Sequence, residues 1–383
     1  MLVRTLGQGT FGSVFLADME SAGGFKRRVA LKLLNSSWDP SSDAGRRLRD
    51  EARLLGRLRH RNVVRVDDLV RLDGKWALVM EHVAGADLEA LYEDARDAGE
   101  RLPPRAVAEV CAAVAAALHA AFATPGDDGA PLRVVHRDIK PSNVRLAEDG
   151  EVKVLDFGVA RAEFEGREAK TERVRYGSLG YMAPERLLGD EETAAGDVYA
   201  LGVMMWELLV GETYGRAELG PDKQAAQVES AVSRLRAAVE NDALADLARA
   251  TLRYEASERP GAAEVEVALR RLARELPGDD VVTVARRFAA SRGEPAGDDV
   301  AGRVLVDDST SSPRVTDSRA LVTSATLALP LVDEEPEVPS PRAARPASQS
   351  GVVIAGVIGA AVVVAVVGGI LAWRLTASPG PAP

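Results

Sequence analysis

The segment His136-Arg137-Asp138-Ile139-Lys140-Pro141-Ser142-Asn143 constrains this chain more than any other part of it. It places the carboxylate of Asp138 five residues before the carboxamide of Asn143, with Lys140 between them on one tight loop. On such a loop the carboxylate can accept a proton from a hydroxyl group, and the carboxamide can bind a metal ion. The lysine can neutralise charge on a transferring phosphoryl group. The segment therefore predicts a phosphoryl-transfer site.

A glycine-rich segment near the N-terminus fits the same chemistry. Residues 7–14 read G-x-G-x-x-G-x-V. The glycines let the backbone approach phosphates and point N–H groups at them. Dinucleotide-binding folds use similar spacing, but there a helix follows the glycines, whereas Val14-Phe15-Leu16-Ala17 continues as a strand. The segment therefore predicts a β-hairpin lid.

Three further segments supply charged groups in a fixed order. Lys32 ends the apolar strand Val29-Ala30-Leu31-Lys32, where an unpaired ammonium group would be costly, so it needs phosphates or a carboxylate. Glu51, on the helix that follows, is the candidate partner. Asp156-Phe157-Gly158 places a second metal-binding carboxylate at a strand end, and Ala183-Pro184-Glu185 follows.

These pieces, in this order, resemble the protein kinase superfamily over most of residues 1–276. The resemblance implies an α+β fold of two lobes with nucleotide in the cleft between them. A small β-rich N-lobe would cover about 1–82 and a mainly helical C-lobe about 83–276. It implies ATP as phosphoryl donor and Mg²⁺, or Mn²⁺ in its place, as metal.

The resemblance also implies a role for each matching residue. Asp138 would be the catalytic base, assisted by Lys140, and Asn143 and Asp156 would bind the metal. Lys32 would hold the α- and β-phosphates and pair with Glu51. The segment 80–83 would be the hinge that meets the adenine. The ATP-binding residues would be Leu6, Gly7, Gln8, Gly9, Thr10, Phe11, Gly12, Ser13, Val14, Ala30, Lys32, Glu81 and Val83.

Several residues look like the Ser/Thr branch of the superfamily, acting on protein substrates that the sequence does not identify. Lys140 is typical of that branch, because tyrosine kinases usually differ at that point. Asp197 starts a segment similar to the family's Asp-x-Trp-Ser-x-Gly helix start. Arg259 is placed to pair with Glu185, as in family members. Such remote pairs are more typical of protein kinases than of small-molecule phosphotransferases.

Control of activity is expected in the activation loop, residues 156–185. In relatives the arginine equivalent to Arg137 binds a phosphate on this loop. Thr171 is the best phosphoacceptor by position, although it could be an ordinary loop threonine. Ser178 occupies the place of a family threonine that contacts the catalytic Asp and Lys, and a structural hydroxyl is the role that we expect for it.

Two other classes of function stay open at this point. A pseudokinase acting as a membrane-tethered binding module usually lacks at least one of Lys32, Glu51, Asp138, Asn143 and Asp156, and all five are present. The pseudokinase alternative is supported by the short N-terminus, which indicates either a clipped first strand or a start farther upstream. A small-molecule phosphotransferase would leave Glu185 and Arg259 without a role.

Composition narrows the partners. The net charge of −10 disfavours general nucleic-acid binding, which usually needs a basic surface. The single cysteine, Cys111, lies in an Ala-rich helical run, so we expect a small buried hydrophobic side chain rather than a nucleophile.

Strand-like pieces are predicted at 134–136, 144–146 and 152–155.

The C-terminal third differs in character. We predict a helical extension over 277–292, a flexible Pro/Ser/Asp-rich linker over 293–350, and a tail over 374–383. Residues 351–373 carry no charge. As a helix they would span roughly 34 Å, enough for a bilayer core of about 30 Å, so one transmembrane helix is expected.

The flanks of this segment predict its orientation. Arg342 and Arg345 precede it and Arg374 alone follows, which favours a cytoplasmic kinase domain and a short C-terminus outside the cell membrane. Small residues at 351, 355 and 359 form a stripe that allows self-association. A short apolar piece, 320–332, is either a docking segment or a solvated part of the linker.

Overall fold

The computed structural model describes residues 1–9, 12–20, 24–34, 43–157, 179–291 and 300–305. All of them belong to the first of two compact units of the chain, Met1–Val315. The predicted transmembrane segment 351–373, the tail 374–383 and most of the linker lie outside the described residues.

The N-lobe is a five-stranded antiparallel sheet with strand order β1-β2-β3-β5-β4 and one helix, α1. Side chains alternate between its two faces, as a pleated strand requires. On β5, Leu78 and Met80 join the main core with α1, whereas Ala77 and Val79 join a second apolar cluster. The elements are β1 (Leu2–Gly9), β2 (Gly12–Glu20), β3 (Lys26–Leu34), α1 (Asp43–Arg57), β4 (Val66–Leu72) and β5 (Lys75–Glu81).

The C-lobe is mainly helical, and a small sheet of order β6-β7-β8 joins it to the hinge. Its strands are β6 (Gly85–Asp87), β7 (Val144–Ala147) and β8 (Val152–Val154). Its helices are α2 (Leu88–Asp97), α3 (Pro104–Ala123), α4 (Pro184–Leu188), α5 (Ala194–Val210), α6 (Pro221–Val239), α7 (Asp242–Thr251), α8 (Ala262–Leu272) and α9 (Val281–Ser291). The two-lobed α+β architecture expected from the sequence is confirmed.

Two helices form the centre of the C-lobe. Helices α3 and α5 pack against each other and bury side chains around most of their circumference. In the described part of the chain, α3 is the one helix long and apolar enough to cross a membrane. Most of it is covered by the rest of the lobe, so its composition is that of a core helix. Cys111 lies on it with 0% exposure, as the sequence predicted.

One predicted strand is absent. Residues 134–136 belong to no strand and join no sheet. Their backbone groups bond elsewhere: Val134 N–H donates to Ala121 O at the end of α3, and His136 N–H donates to the Asp197 carboxylate. The strand prediction is wrong, because a helix end and a carboxylate satisfy this backbone instead of a neighbouring strand.

Candidate active site

The catalytic-loop segment holds three functional groups together. The Asp138 Oδ2 atom accepts a hydrogen bond from Asn143 Nδ2 at 2.9 Å and lies 2.7 Å from Lys140 Nζ. Asn143 Nδ2 also donates to the Asp138 carbonyl at 2.7 Å. A short 3₁₀ turn, Pro141–Asn143, brings Asn143 back to Asp138. The amide nitrogen of Asn143 is therefore engaged with the loop, which leaves its oxygen as the atom that could bind a metal ion.

A buried carboxylate supports the start of this loop. Asp197, in the first turn of α5, accepts hydrogen bonds from the backbone N–H groups of His136 and Arg137, each at 2.7 Å. Arg137 adopts a φ of 73°, which is uncommon for a residue with a side chain. Burial raises the pKa of Asp197, and the two backbone donors act in the opposite direction. These bonds hold the backbone that leads into Asp138.

The His136 ring connects the loop to the segment that follows β8. Its Nε2 atom lies 2.7 Å from the carbonyl oxygen of Leu155. The ring also contacts Phe157 edge-on, with 4.6 Å between ring centroids. His136 is 2% exposed, so the catalytic loop and residues 155–157 are packed as one piece.

Lys32 points from β3 towards the C-lobe. It is 5% exposed, and its Nζ atom lies 2.8 Å from Asp156 Oδ1. Burial alone would raise the pKa of Asp156, but the Lys32 ammonium group outweighs it, so the pKa lies below its usual value. Asp156 is therefore ionised at neutral pH, the form that binds metal. Glu51 lies on α1, but its side chain is outside what the structure describes.

The glycine-rich segment forms the predicted hairpin. Strands β1 and β2 pair in antiparallel register, and Gly9 faces Gly12 across the turn. Gly12 has a φ of 158°, and a Cβ there would lie 2.1 Å from the Leu33 carbonyl oxygen, so no other residue fits. Leu6, Gly7, Gln8, Gly9, Ser13 and Val14 lie on the hairpin strands and Ala30 on β3, whereas Thr10 and Phe11 lie outside the described residues.

Two basic side chains tie the hinge to the small sheet. The Glu81 carboxylate lies 3.1 Å from Lys153 Nζ on β8 and accepts from the Arg65 N–H at 2.8 Å. Arg145 Nε on β7 donates to the Val83 carbonyl at 2.8 Å, and its Nη2 donates to the Gly85 carbonyl. Burial lowers the pKa of Arg145. Arg145 was not predicted as a site residue, although a charged residue between the apolar residues 144 and 146 is a signal of the same kind as Lys32.

The donor set at the cleft fits a magnesium ion that is shared with a nucleotide. Asn143 and Asp156 supply oxygen atoms, which Mg²⁺ prefers. Within the described ranges, no group of three or more His, Cys, Asp or Glu side chains could hold a metal by itself. Mg²⁺ is commonly bound by one or two protein oxygens together with substrate phosphates. Asn143 and Asp156 would hold the ion, and when bound it would neutralise phosphate charge.

A carboxylate lies between two arginines beside the catalytic loop. Glu192 Oε2 is 2.6 Å from Arg137 Nε, and Glu192 Oε1 is 2.6 Å from Arg186 Nε. Arg186 also donates to the Arg137 carbonyl oxygen. Arg137 is the residue for which the sequence predicted a phosphate partner. Glu192 was not predicted as a site residue, because nothing in the sequence distinguishes it from the neighbouring Asp190 and Glu191. Thr171 and Ser178 lie outside the described residues.

Arg259 and Glu185 form a buried pair. Arg259 Nη1 and Nη2 each donate to one oxygen of the Glu185 carboxylate at 2.7 Å. The Arg259 side chain is 0% exposed and the Glu185 side chain 15%. The pair links α4 to the segment before α8, 74 residues away.

The protein kinase domain family matches residues 1–267 of the chain. This chain belongs to that family. The match covers the N-lobe, the C-lobe as far as α8, and every segment from the glycine-rich hairpin to Arg259. The kinase domain therefore accounts for the architecture and for the order of the motifs.

Individual relatives agree with this assignment. The kinase domain is 39% identical over 209 residues to a protein named tyrosine-protein kinase MasK from Myxococcus xanthus, covering 55% of this chain and 32% of the relative. It is 36% identical over 217 residues to the serine/threonine-protein kinase PknH of Mycobacterium bovis, covering 57% of this chain and 34% of the relative. The chain thus spans about a third of the length of these curated relatives.

A solved structure shows the same fold. The crystal structure of the Mycobacterium tuberculosis PknI kinase domain superposes with a TM-score of 0.51 and 27% identity. The match covers 71% of this chain and 95% of that one. The part of this chain that the match covers corresponds to nearly all of the PknI kinase domain.

Proposed function

We propose that this chain is an active serine/threonine protein kinase that transfers the γ-phosphoryl group of ATP to a protein hydroxyl, with Mg²⁺. The observation that carries the proposal is the arrangement around Asp138, whose carboxylate contacts both Lys140 and Asn143. The Lys32–Asp156 pair provides the second half of the site. Membership in the kinase family supports phosphorylation of proteins.

The roles follow from these contacts. Both contacts that the described residues make with the Asp138 carboxylate fall on Oδ2, so we assign Oδ1 to accept the proton of the substrate hydroxyl. The hydroxyl oxygen forms a bond to the γ-phosphorus, the bond from that phosphorus to the bridging oxygen breaks, and ADP leaves. Lys140 would neutralise charge on the transferred group, and Lys32 would hold the α- and β-phosphates. Catalysis is then positioning and charge neutralisation on a preformed site.

The hinge has the backbone groups that adenine recognition needs. Arg145 already donates a hydrogen bond to the Val83 carbonyl oxygen. We therefore assign the Val83 N–H and the Glu81 carbonyl to recognition of the adenine base. The Glu81 side chain is held by Lys153 and would not contact the nucleotide. Ala30 and the hairpin residues would cover the nucleotide from the N-lobe.

The acceptor type is the second part of the proposal. Lys140 is typical of Ser/Thr kinases, and PknH carries that name, whereas MasK is named a tyrosine kinase. Lys140 lies 2.7 Å from Asp138, in position to act on the transferred group. We therefore assign Ser and Thr as acceptors, and Thr171 as an autophosphorylation site.

Membrane attachment completes the proposal. The uncharged segment 351–373 is long enough to span a bilayer. The chain would be single-pass, with the kinase domain in the cytoplasm and residues 374–383 outside. Alkaline extraction of cell membranes that releases the intact chain would contradict this attachment.

The deciding experiment is labelling of the full chain with radiolabelled ATP and Mg²⁺. We expect label in the wild type and in Lys26→Ala, a control on the same strand as Lys32 whose exposed pair with Glu20 is 3.5 Å long. Lys32→Ala and Asp138→Asn should lose at least about 100-fold of the rate. Equal labelling in all four proteins would refute the proposal, and no labelling in any would favour the pseudokinase. Phosphoamino acid analysis then separates Ser and Thr from Tyr.

A further inference from the structure

A short piece of the predicted linker lies on the N-lobe. Residues 300–305, here called the tail segment, form a reciprocal pair of backbone hydrogen bonds with β1. The Leu2 N–H donates to Arg303 O at 2.8 Å, and the Gly302 N–H donates to Leu2 O at 2.9 Å. Val300 and Leu305 pack against the second apolar cluster of the lobe. The sequence had placed these residues in a flexible linker.

The tail segment covers part of an apolar face of the N-lobe sheet. The second cluster, here called the N-lobe seat, lies on the sheet face opposite that of Leu78 and Met80. Its residues are Leu2, Ala17, Val29, Leu31, Ala77 and Val79, all 5% exposed or less. Strand β1 is the edge of the sheet, and an edge strand presents unpaired N–H and C=O groups. Leu2 is nevertheless 3% exposed, because the tail segment lies over it.

The tail segment shows a clear division between packed and exposed side chains. Val300 and Leu305 are partly buried against the seat, whereas Val304 is 65% exposed. Gly302 has a φ of 84°, so a turn reverses the chain beside Leu2. The two backbone bonds between Leu2 and the adjacent residues Gly302 and Arg303 fix the register of the tail segment on β1.

The path of the chain favours occupation of the N-lobe seat by the tail segment of the same molecule. Helix α9 is anchored on the C-lobe, where the Val281 N–H donates to Glu109 on α3 at 2.8 Å. Eight residues, 292–299, separate α9 from the tail segment. Nine residue steps can reach about 30 Å, the scale of a small domain. The same chain can therefore hold the C-lobe with α9 and the N-lobe with residues 300–305.

We propose that the tail segment is a docking element that binds the N-lobe seat of its own kinase domain and couples the C-terminal region to the glycine-rich hairpin. Residues 306–383 follow the tail segment along the chain. Any force or partner acting on them reaches β1, the strand that ends in the Gly7–Gly9 part of the hairpin. Release of the tail segment would loosen β1 and weaken nucleotide binding. This coupling goes beyond the phosphoryl transfer proposed above.

The test compares two variants of the full chain. Val300→Asp combined with Leu305→Asp places two charges against the seat, whereas Val304→Asp adds a charge on the exposed side of the same segment. Hydrogen exchange measured by mass spectrometry over residues 1–9 should be about tenfold faster or more in the double variant and unchanged in the control. The KM for ATP should rise several-fold in the double variant alone.

The exchange readout needs no catalytic activity, so the docking proposal and the kinase proposal can fail separately. A second variant, Gly302→Pro, removes the N–H that bonds to Leu2 and cannot adopt the observed φ, so it should raise exchange over residues 1–9 as well. Equal exchange in the wild type, the double variant and Gly302→Pro would overturn the proposal. Protection that grows with protein concentration would also overturn it, because a second copy would then supply the segment.

Discussion

The Arg259–Glu185 pair allows the sharpest stability prediction in this kinase domain. The Arg259 guanidinium is 0% exposed and makes two 2.7 Å bonds to the Glu185 carboxylate. It also donates to three backbone carbonyls, those of Ala195 at 3.0 Å, Arg253 at 2.8 Å and Tyr254 at 2.9 Å. In Glu185→Ala the arginine keeps its neutral acceptors but loses the only negative charge bonded to it among the described residues.

The expected loss is large because the remaining charge stays buried. Removing one partner of a buried ion pair costs about 3–5 kcal/mol. Whole domains are stable by about 5–15 kcal/mol, so Glu185→Ala should lose a substantial share of the free energy of unfolding. For a domain of this size the change corresponds to a decrease in Tm of about 6–20 °C. Urea unfolding followed by far-UV circular dichroism measures it directly.

An exposed pair in the same lobe is the matched control. Arg271 and Glu275 lie 3.7 Å apart with side chains 83% and 57% exposed. Glu275→Ala should change the free energy of unfolding by about 0.5 kcal/mol or less, and added salt should remove that effect. The Glu185→Ala loss should persist in high salt. If the two variants lose equal stability, burial of Arg259 is not the source of the effect and the reasoning is wrong.

Three further predictions concern other parts of the domain. Glu192→Gln leaves two partly buried guanidinium groups beside the catalytic loop without their shared carboxylate, so the kcat of this variant should fall about tenfold or more. The kcat of Glu191→Gln, at the exposed neighbouring position, should stay at the wild-type value, and equal kcat values in the two variants would count against a positioning role for Glu192. Burial raises the pKa of Cys111 to about 12, so native protein at pH 8 should not react with an aromatic disulfide reagent, and rapid reaction before unfolding would contradict this. Gly12→Ala would place a Cβ 2.1 Å from Leu33 O and should lower both stability and ATP affinity, which an unchanged melting temperature would disprove.

The parts of the fold that the sequence predicted correctly depend on short-range patterns. The hairpin follows from the glycine spacing and from the strand pattern that continues after it. Cys111 could be placed in the core because its helix is apolar on every side. In each case the residues that determine the structure lie within one element, so no long-range contact had to be known.

The features that the sequence did not predict depend on distant partners. Arg137 meets Glu192 at a distance of 55 positions along the chain, and Arg145 meets the hinge at 62 positions. Residues 134–136 have a strand pattern, yet a carboxylate 61 residues later binds their backbone. The tail segment was hidden by the polar composition around it, because two apolar side chains separated by four residues carry no periodic signal.

The contacts between the lobes indicate how the cleft can open. Lys32 and Asp156 connect the lobes across the cleft, whereas Lys153 and Arg145 connect the small sheet to the hinge itself. A rotation about the hinge moves atoms near the axis least, so the two hinge contacts can persist while the lobes separate. The Lys32–Asp156 pair joins β3 to the segment after β8, so we expect it to separate when the cleft opens. The phosphates of a bound nucleotide would then contact Lys32 in place of Asp156. The buried Lys32 ammonium group would therefore have a partner in both the closed and the open cleft.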